Sequence, residues 1–286
     1  MVHAEAPTLR CSVADAPAGQ FLFDRTARVR VADLVRGTSL RGRLAELAGR
    51  SVLIATASQL TTALALIELD GVARRLTILP PDADRVHLPE LMAQAEIDAA
   101  IIDGEAPEAL SGVPVCVLCT PNVVADAPIS SAPFRTEWVL LTSGTTGVPK
   151  MAVHSLAGLA AAITQQPSSE PAVWGTFYDI RRYGGLQIFL RAILGGSSLI
   201  LSSAGELVAD HLARLAEHGV THLSGTPSHW RRALMSADIG RIGPRYVRLS
   251  GEIADQPVLD ALRAAFPNAA IGHAYASTEA GVGFAV

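Results

Sequence analysis

Leu141-Thr142-Ser143-Gly144-Thr145-Thr146-Gly147-Val148-Pro149-Lys150 sets four hydroxyls, two glycines and one lysine directly after an apolar run. Glycines let a backbone turn so that several N–H groups point at one anion, and hydroxyls plus an ammonium supply charge-assisted hydrogen bonds of roughly 1.5–3 kcal/mol each. The stretch reads as a polyphosphate cradle fed by a strand, and the implied ligand is a nucleoside triphosphate. An ordinary Ser/Thr/Gly turn is the alternative, though such turns rarely need so many hydroxyls at once. The spacing disfavours a Walker loop, Gly-x-x-x-x-Gly-Lys-Ser/Thr, because Pro149 stands before Lys150 and Met151 follows it.

Two further stretches extend the pattern. Near the C-terminal end, Gly272-His273-Ala274-Tyr275-Ala276-Ser277-Thr278-Glu279-Ala280-Gly281 places an aromatic residue three positions before a Thr-Glu pair. Taken alone, such a pair also suits a helix start, with Thr278 as N-cap and Glu279 in the first turn. Between the two, Leu249-Ser250-Gly251-Glu252-Ile253 ends a short apolar strand in Ser-Gly, which by itself is equally a strand-to-helix turn.

In order and distance the three stretches resemble the adenylate-forming superfamily, which includes acyl- and aryl-CoA ligases, luciferases and peptide-synthetase adenylation domains. The resemblance implies that Thr142, Ser143, Gly144, Thr145, Thr146, Gly147 and Lys150 hold the phosphates of ATP. It implies that Gly251, Glu252 and Ile253 border the adenine, that Tyr275 stacks on it beside Ala276 and Ser277, that Thr278 reaches a phosphate, and that Glu279 helps hold Mg²⁺. A magnesium ion is usually held by one or two carboxylates plus phosphate oxygens, so one acid suffices. The implied reaction is attack of a carboxylate on the α-phosphorus of ATP, release of pyrophosphate, and transfer of the acyl group from AMP to CoA or to the phosphopantetheine thiol of a carrier protein. The competing class is a non-catalytic nucleotide-binding or assembly module.

Counting back from Gly184 in Tyr178-Asp179-Ile180-Arg181-Arg182-Tyr183-Gly184-Gly185 puts Arg181 where many CoA ligases of the family have histidine. Arg181 is thus a candidate catalytic residue, able to pair with Asp179 or to hold a substrate carboxylate or acidic substituent by bidentate hydrogen bonds. A solvated Arg-Arg pair at a helix start is the other reading. Asp179 after an aromatic also resembles the pair with which amino-acid-activating domains grip an α-amino group, which keeps an amino-acid substrate as the minor hypothesis. Gly225 and Trp230 follow a strand that borders the acyl pocket in the family, although a Trp is more often a core residue. His154 is expected at the start of a helix, capping or packing. Neither Ser143 nor Ser277 lies in a Gly-x-Ser-x-Gly elbow, which leaves hydrolase readings weak.

Composition agrees with a soluble enzyme: the 286 residues are 49% hydrophobic and 17% charged, enough apolar material for a large core or two adjoining ones. A net charge of −4 without a basic run gives no support to a nucleic-acid surface. The N-terminus lacks a secretory pattern, no apolar stretch approaches the roughly 18 residues of a membrane span, and a cytoplasmic location is expected. Cys11, Cys116 and Cys119 make an odd count, and Cys116 and Cys119 sit in an apolar run, so both are expected to be core thiols rather than a metal or redox pair.

Strand-like and helix-like segments alternate along the chain, the rhythm of parallel sheets covered by helices. Strands are expected over 51–57, 74–79, 98–103, 113–119, 136–141, 172–177, 198–201, 221–224, 246–249 and 270–274. Helices are expected over 59–69, 87–95, 155–165, 185–194, 206–218, 227–235 and 255–266. The Pro-, Ala- and Ser-rich segment 120–135 breaks the rhythm, giving subdomains 1–130 and 131–286. The fold class expected is α/β, two stacked mostly parallel sheets with flanking helices, as in the N-terminal subdomains of adenylate-forming enzymes. Family members continue with a ribose-binding Asp, a hinge and a lid domain carrying a Lys. The sequence therefore reads as an N-terminal fragment, expected to show little adenylation and to self-associate through apolar surface near 284–286.

Overall fold

Four short apolar runs, too brief for helices, become adjacent parallel strands in the computed structural model. The model describes residues 8–126, 134–142, 149–163, 172–278 and 281–285, with residues 276, 277, 281, 282, 284 and 285 described by backbone alone. Two compact units emerge: residues up to 20 together with 29–161, and residues 21–28 together with those from 162 onward. The boundary read from composition near residue 130 falls inside the first unit.

In the first unit the strand order is Lys150–Ser155, Glu137–Thr142, Arg75–Ile78, Ser51–Ile54, Ala99–Ile102, Val115–Leu118. All neighbours run parallel except the edge strand Lys150–Ser155, which returns antiparallel along Glu137–Thr142. The helix Gln59–Leu69 starts at Ser58, whose hydroxyl accepts from Leu60 N, and all its residues are buried, so its apolar character continues round the helix. Its one carboxylate, Glu68, accepts from the Ser39 backbone N–H at 2.8 Å and from the hydroxyls of Thr38 and Ser39. Just past the helix, Asp70 accepts from Leu9 N and from Trp138 Nε1, each at 2.9 Å. Burial pushes both carboxyls up, and these hydrogen bonds oppose that shift.

All three cysteines are unpaired. Cys119 is buried against the Ser39 hydroxyl, and burial pushes its thiol up to about 12; such a thiol is a core residue, not a nucleophile.

The second unit carries the strands Gly281–Ala285, Ala270–Ser277, Tyr246–Ser250, His222–Gly225, Val173–Thr176, Ser198–Ile200 and Phe21–Phe23 in that order. Phe21–Phe23 pairs parallel with Ser198–Ile200, a long-range pairing that short local patterns do not reveal. Leu212, Leu215, Leu223, Trp230, Val247, Leu249, Val258 and Leu262 form its core, drawn from alternate positions of two strands and one face each of the helices Val208–Glu217, Pro227–Leu234 and Gln256–Ala265. Trp230 is fully buried there, the core outcome for that residue.

Two expected elements differ. The helix over 155–165 is only Leu156–Ala160, capped by Ser155, and Lys150–Ser155 before it is a strand. His154 therefore sits opposite Trp138 in a ladder instead of at a helix start. The helix start allowed at Thr278 gives way to a hairpin, because Gly281–Ala285 returns antiparallel along Ala270–Ser277.

Candidate functional site

The hydroxyl-rich loop is a hairpin connection. Antiparallel pairing sets Thr142 directly opposite Lys150, and Leu141 opposite Met151. Residues facing each other across such a ladder project to the same side, with Cβ atoms roughly 5 Å apart. The Thr142 hydroxyl and the exposed Lys150 side chain thus leave the two ends of the loop on one face. Ser143, Gly144, Thr145, Thr146 and Gly147 lie outside the described residues.

In the second unit, chemistry gathers beyond the carboxyl ends of neighbouring parallel strands, where open α/β sheets usually bind ligands. Tyr246–Ser250 ends at Gly251, whose φ of +84° is a conformation that side chains disfavour. Ile253 is 89% exposed just beyond, and Tyr275, on the adjacent strand, is 59% exposed. The parallel ladder pairs Ser250 with Ala274, and on its other side the strand Ala270–Ser277 shifts register against Gly281–Ala285 between Tyr275 and Ala276, a bulge of the kind that re-aims a side chain. His273 Nε2 lies 3.2 Å from the Glu252 carbonyl oxygen, tying the two strand ends together.

Glu252 spends its side chain on the next strand end: its carboxylate accepts from Ser228 N at 3.0 Å and from Ser228 Oγ at 2.6 Å. Hydrogen bonding from Ser228 is the main cause holding that carboxyl below its ordinary range. What Glu252 offers a ligand is therefore backbone. Thr278 is a half-buried turn residue at the end of the same sheet, and Glu279 lies outside the described residues.

Tyr178 closes this end of the unit from the strand Val173–Thr176. Its hydroxyl donates to the Ser250 carbonyl at 2.8 Å and lies 2.9 Å from Ser250 Oγ. Burial first, against several hydrogen bonds, pushes the phenol up to about 12. Gly185 permits the turn that follows, because a Cβ there would lie 2.1 Å from the Asp179 carbonyl oxygen. Arg181 is 3% exposed, which overturns the solvated Arg-Arg reading for that residue. Its guanidinium donates Nε to Asp179 Oδ1 at 2.8 Å and Nη2 to Oδ2 at 2.6 Å, a bidentate pair. Of the two partners the spacing allowed, Asp179 has taken it.

Sequence reading did not single out two half-buried arginines of this unit. Arg191 and Arg248 are lone charges inside apolar runs, in the helix Tyr183–Leu194 and the strand Tyr246–Ser250, and that interruption was the available signal.

Among the described residues no group of three His, Cys, Asp or Glu side chains is placed to hold a metal ion. Magnesium bound through ATP needs only one or two protein carboxylates, so such a cluster is not required. Ile253 and Tyr275 leave two exposed side chains at the strand ends near the Gly251 turn. No helix among the described residues is long and apolar enough to cross a membrane.

A comparison with curated protein sequences gives no match. Among solved structures, the chain is similar to the Klebsiella oxytoca NpsA N-terminal subdomain in complex with 3-hydroxybenzoyl-AMSN, with a TM-score of 0.78 at 18% identity, covering 97% of this chain and 74% of that one. It is similar to VinN in complex with L-aspartate, with a TM-score of 0.74 at 18% identity, covering 96% of this chain and 76% of that one. It is also similar to a malonyl-CoA ligase bound to methylmalonyl-CoA and AMP, with a TM-score of 0.77 at 21% identity, covering 96% of this chain but 62% of the ligase. Identities this low carry the fold. The family model for AMP-binding enzymes matches residues 42–286, most of the chain, and the chain belongs to that family.

Proposed function

We propose that this chain takes part in ATP-dependent activation of a carboxylic acid, forming an acyl-adenylate and then a thioester with CoA or a carrier-protein phosphopantetheine. The observation that carries the reading is the pairing of Thr142 with Lys150, which aims a hydroxyl and an ammonium to one side of a hydroxyl-rich loop. Lys150 and the hydroxyls of Thr142, Ser143, Thr145 and Thr146 neutralise the β- and γ-phosphates. Gly144 and Gly147 let the backbone approach. Tyr275 and Ile253 sandwich the purine while Gly251, Glu252, Ala276 and Ser277 supply its backbone wall. Thr278 donates to a phosphate oxygen, and Glu279 holds the magnesium ion whose charge offsets that of the phosphates.

Little covalent work falls to these residues. They orient the carboxylate for in-line attack and stabilise the charge displaced onto pyrophosphate, terms that dominate phosphoryl-type transfers. Arg181 contributes by fixing the turn from Asp179 into the helix Tyr183–Leu194. The same pair argues against an amino-acid substrate gripped by Asp179, because both of its carboxylate oxygens already accept from Arg181.

Acid-dependent pyrophosphate release by the intact protein, screened over fatty, aryl and amino acids, tests the reading. Lys150→Ala and Glu279→Gln are each expected to lower it about 10²-fold or more, the usual effect of removing one transition-state contact. Nucleotide binding without release for any acid, unchanged by Lys150→Ala, would instead identify a non-catalytic module.

A further inference from the structure

The candidate nucleotide residues of the second unit lie beyond the carboxyl ends of its strands. At the amino ends, the neighbouring strands Val173–Thr176, His222–Gly225 and Tyr246–Ser250 border a recess of about 630 Å³, a volume in the usual range for small-molecule sites. Val173 opens its strand, Thr221 and Arg245 each stand one residue before theirs, and all three line the recess. Arg245 and Gly251 are six residues apart along one strand, on the order of 20 Å, so the recess is separate from the Gly251 turn.

Floor and rim differ in chemistry. Val220 and Ile242, buried members of the unit's core, give the recess an apolar floor. Gly219, which follows the helix Val208–Glu217 with a φ of +62°, and Gly243 put no side chain across it, and a Cβ at either would meet no atom within 4 Å. Backbone groups here already have partners: Thr221 N–H donates to the Val173 carbonyl at 2.9 Å, and Arg245 N–H to the Thr221 carbonyl at 2.7 Å. The binding chemistry therefore belongs to the rim, where Arg241 and Arg245 are both exposed and, among the described residues, no acidic side chain lines the recess. Arg241 meets Asp238 at 3.2 Å, but an exposed pair of this kind contributes little, which leaves the guanidinium available to a stronger acceptor.

An apolar floor beneath two guanidiniums suits a molecule with a flat apolar body and one oxyanion. The body removes the floor from water, and the fork of N–H donors takes the anion through parallel hydrogen bonds. We propose that this recess is a second ligand site, for an aromatic carboxylate or an aromatic phosphate monoester, with Val220 and Ile242 under the ring and Arg241 and Arg245 on the anion. Glycine at 219 and 243 keeps the way in open. The site uses none of the residues assigned to adenylate formation, and its occupancy does not depend on that assignment.

The test titrates the 286-residue chain, at fixed ionic strength, with naphthoate and naphthyl phosphate, and with neutral naphthamide, inorganic phosphate and a hexaglutamate peptide for comparison. Calorimetry reads affinity and thermal melting reads folding. At least one naphthyl anion is expected to bind about tenfold or more tightly than the amide and than inorganic phosphate, and the tighter of the two names the head group. Arg241→Gln and Arg245→Gln should each lower that affinity severalfold. Gly243→Leu, which adds a side chain where the backbone leaves room for one, should abolish it without moving the melting temperature. Equal affinities for anion and amide, inorganic phosphate binding as tightly as either naphthyl anion, tighter binding of the peptide, or an affinity that survives Gly243→Leu would each overturn the proposal. So would displacement by a naphthoyl sulfamoyl-adenosine conjugate, which would put the anion in the acid-activation cleft instead and leave that reading standing.

Discussion

Glu206 shows how single residues tune this protein. Its carboxylate is 2% exposed, accepts from Arg214 Nε at 2.7 Å, and lies 3.2 Å from His211 Nδ1. Burial pushes the group up, but hydrogen bonds and charges from His211 and Arg214 outweigh burial and hold it at about 2. A carboxyl depressed in the folded state stabilises fully above its ordinary value near 4.5, and that contribution disappears as pH falls through about 2. Glu206→Gln should therefore destabilise by roughly 3–5 kcal/mol near pH 7, and the gap should narrow between pH 4.5 and 2. Urea titrations across that range check it, and a gap independent of pH would contradict the pairing. By the same logic Asp179→Asn, which removes the charge facing a guanidinium that is 3% exposed, should cost about 3 kcal/mol in the same assay.

At the scale of elements, close approaches rather than propensities decide what is tolerated. Gly185→Ala would drive a methyl group into the Asp179 carbonyl, where the position allows 2.1 Å, in a helix whose isolated propensity alanine would raise. The expected result is a loss of about 1–3 kcal/mol instead of a gain, and thermal melting gives the sign directly. Trp230 fills the core beneath three helices, so Trp230→Ala should lose roughly 3–5 kcal/mol. The element least legible in the sequence was Lys150–Ser155. Its residues resemble a helix lead-in, and only the ladder with Glu137–Thr142 makes them a strand. Pairing across a loop is a long-range fact that a local window does not contain.

Across the molecule, net charge and topology set behaviour. An isoelectric point near 6.1 implies weakest mutual repulsion there, so solubility followed by light scattering should be lowest near pH 6 and recover above pH 7.5. The strand Gly281–Ala285 ends the larger sheet and leaves a hydrogen-bonding edge, which favours concentration-dependent association. Analytical ultracentrifugation over a hundredfold range of concentration would reveal it.

The family and the alternation of strands and helices were determined by the sequence itself, because residues 141–150, 249–253 and 272–281 carry dense, local chemistry and because apolar periodicity is local too. Tertiary structure alone decided the division at residue 161, the early strand Phe21–Phe23 joining the second sheet, and the partners of the arginines. The sequence left Arg181 either Asp179 or a substrate as its partner, and the fold gave it Asp179. A residue's chemistry is written in its own side chain, whereas its electrostatic company depends on which distant segments the core brings together.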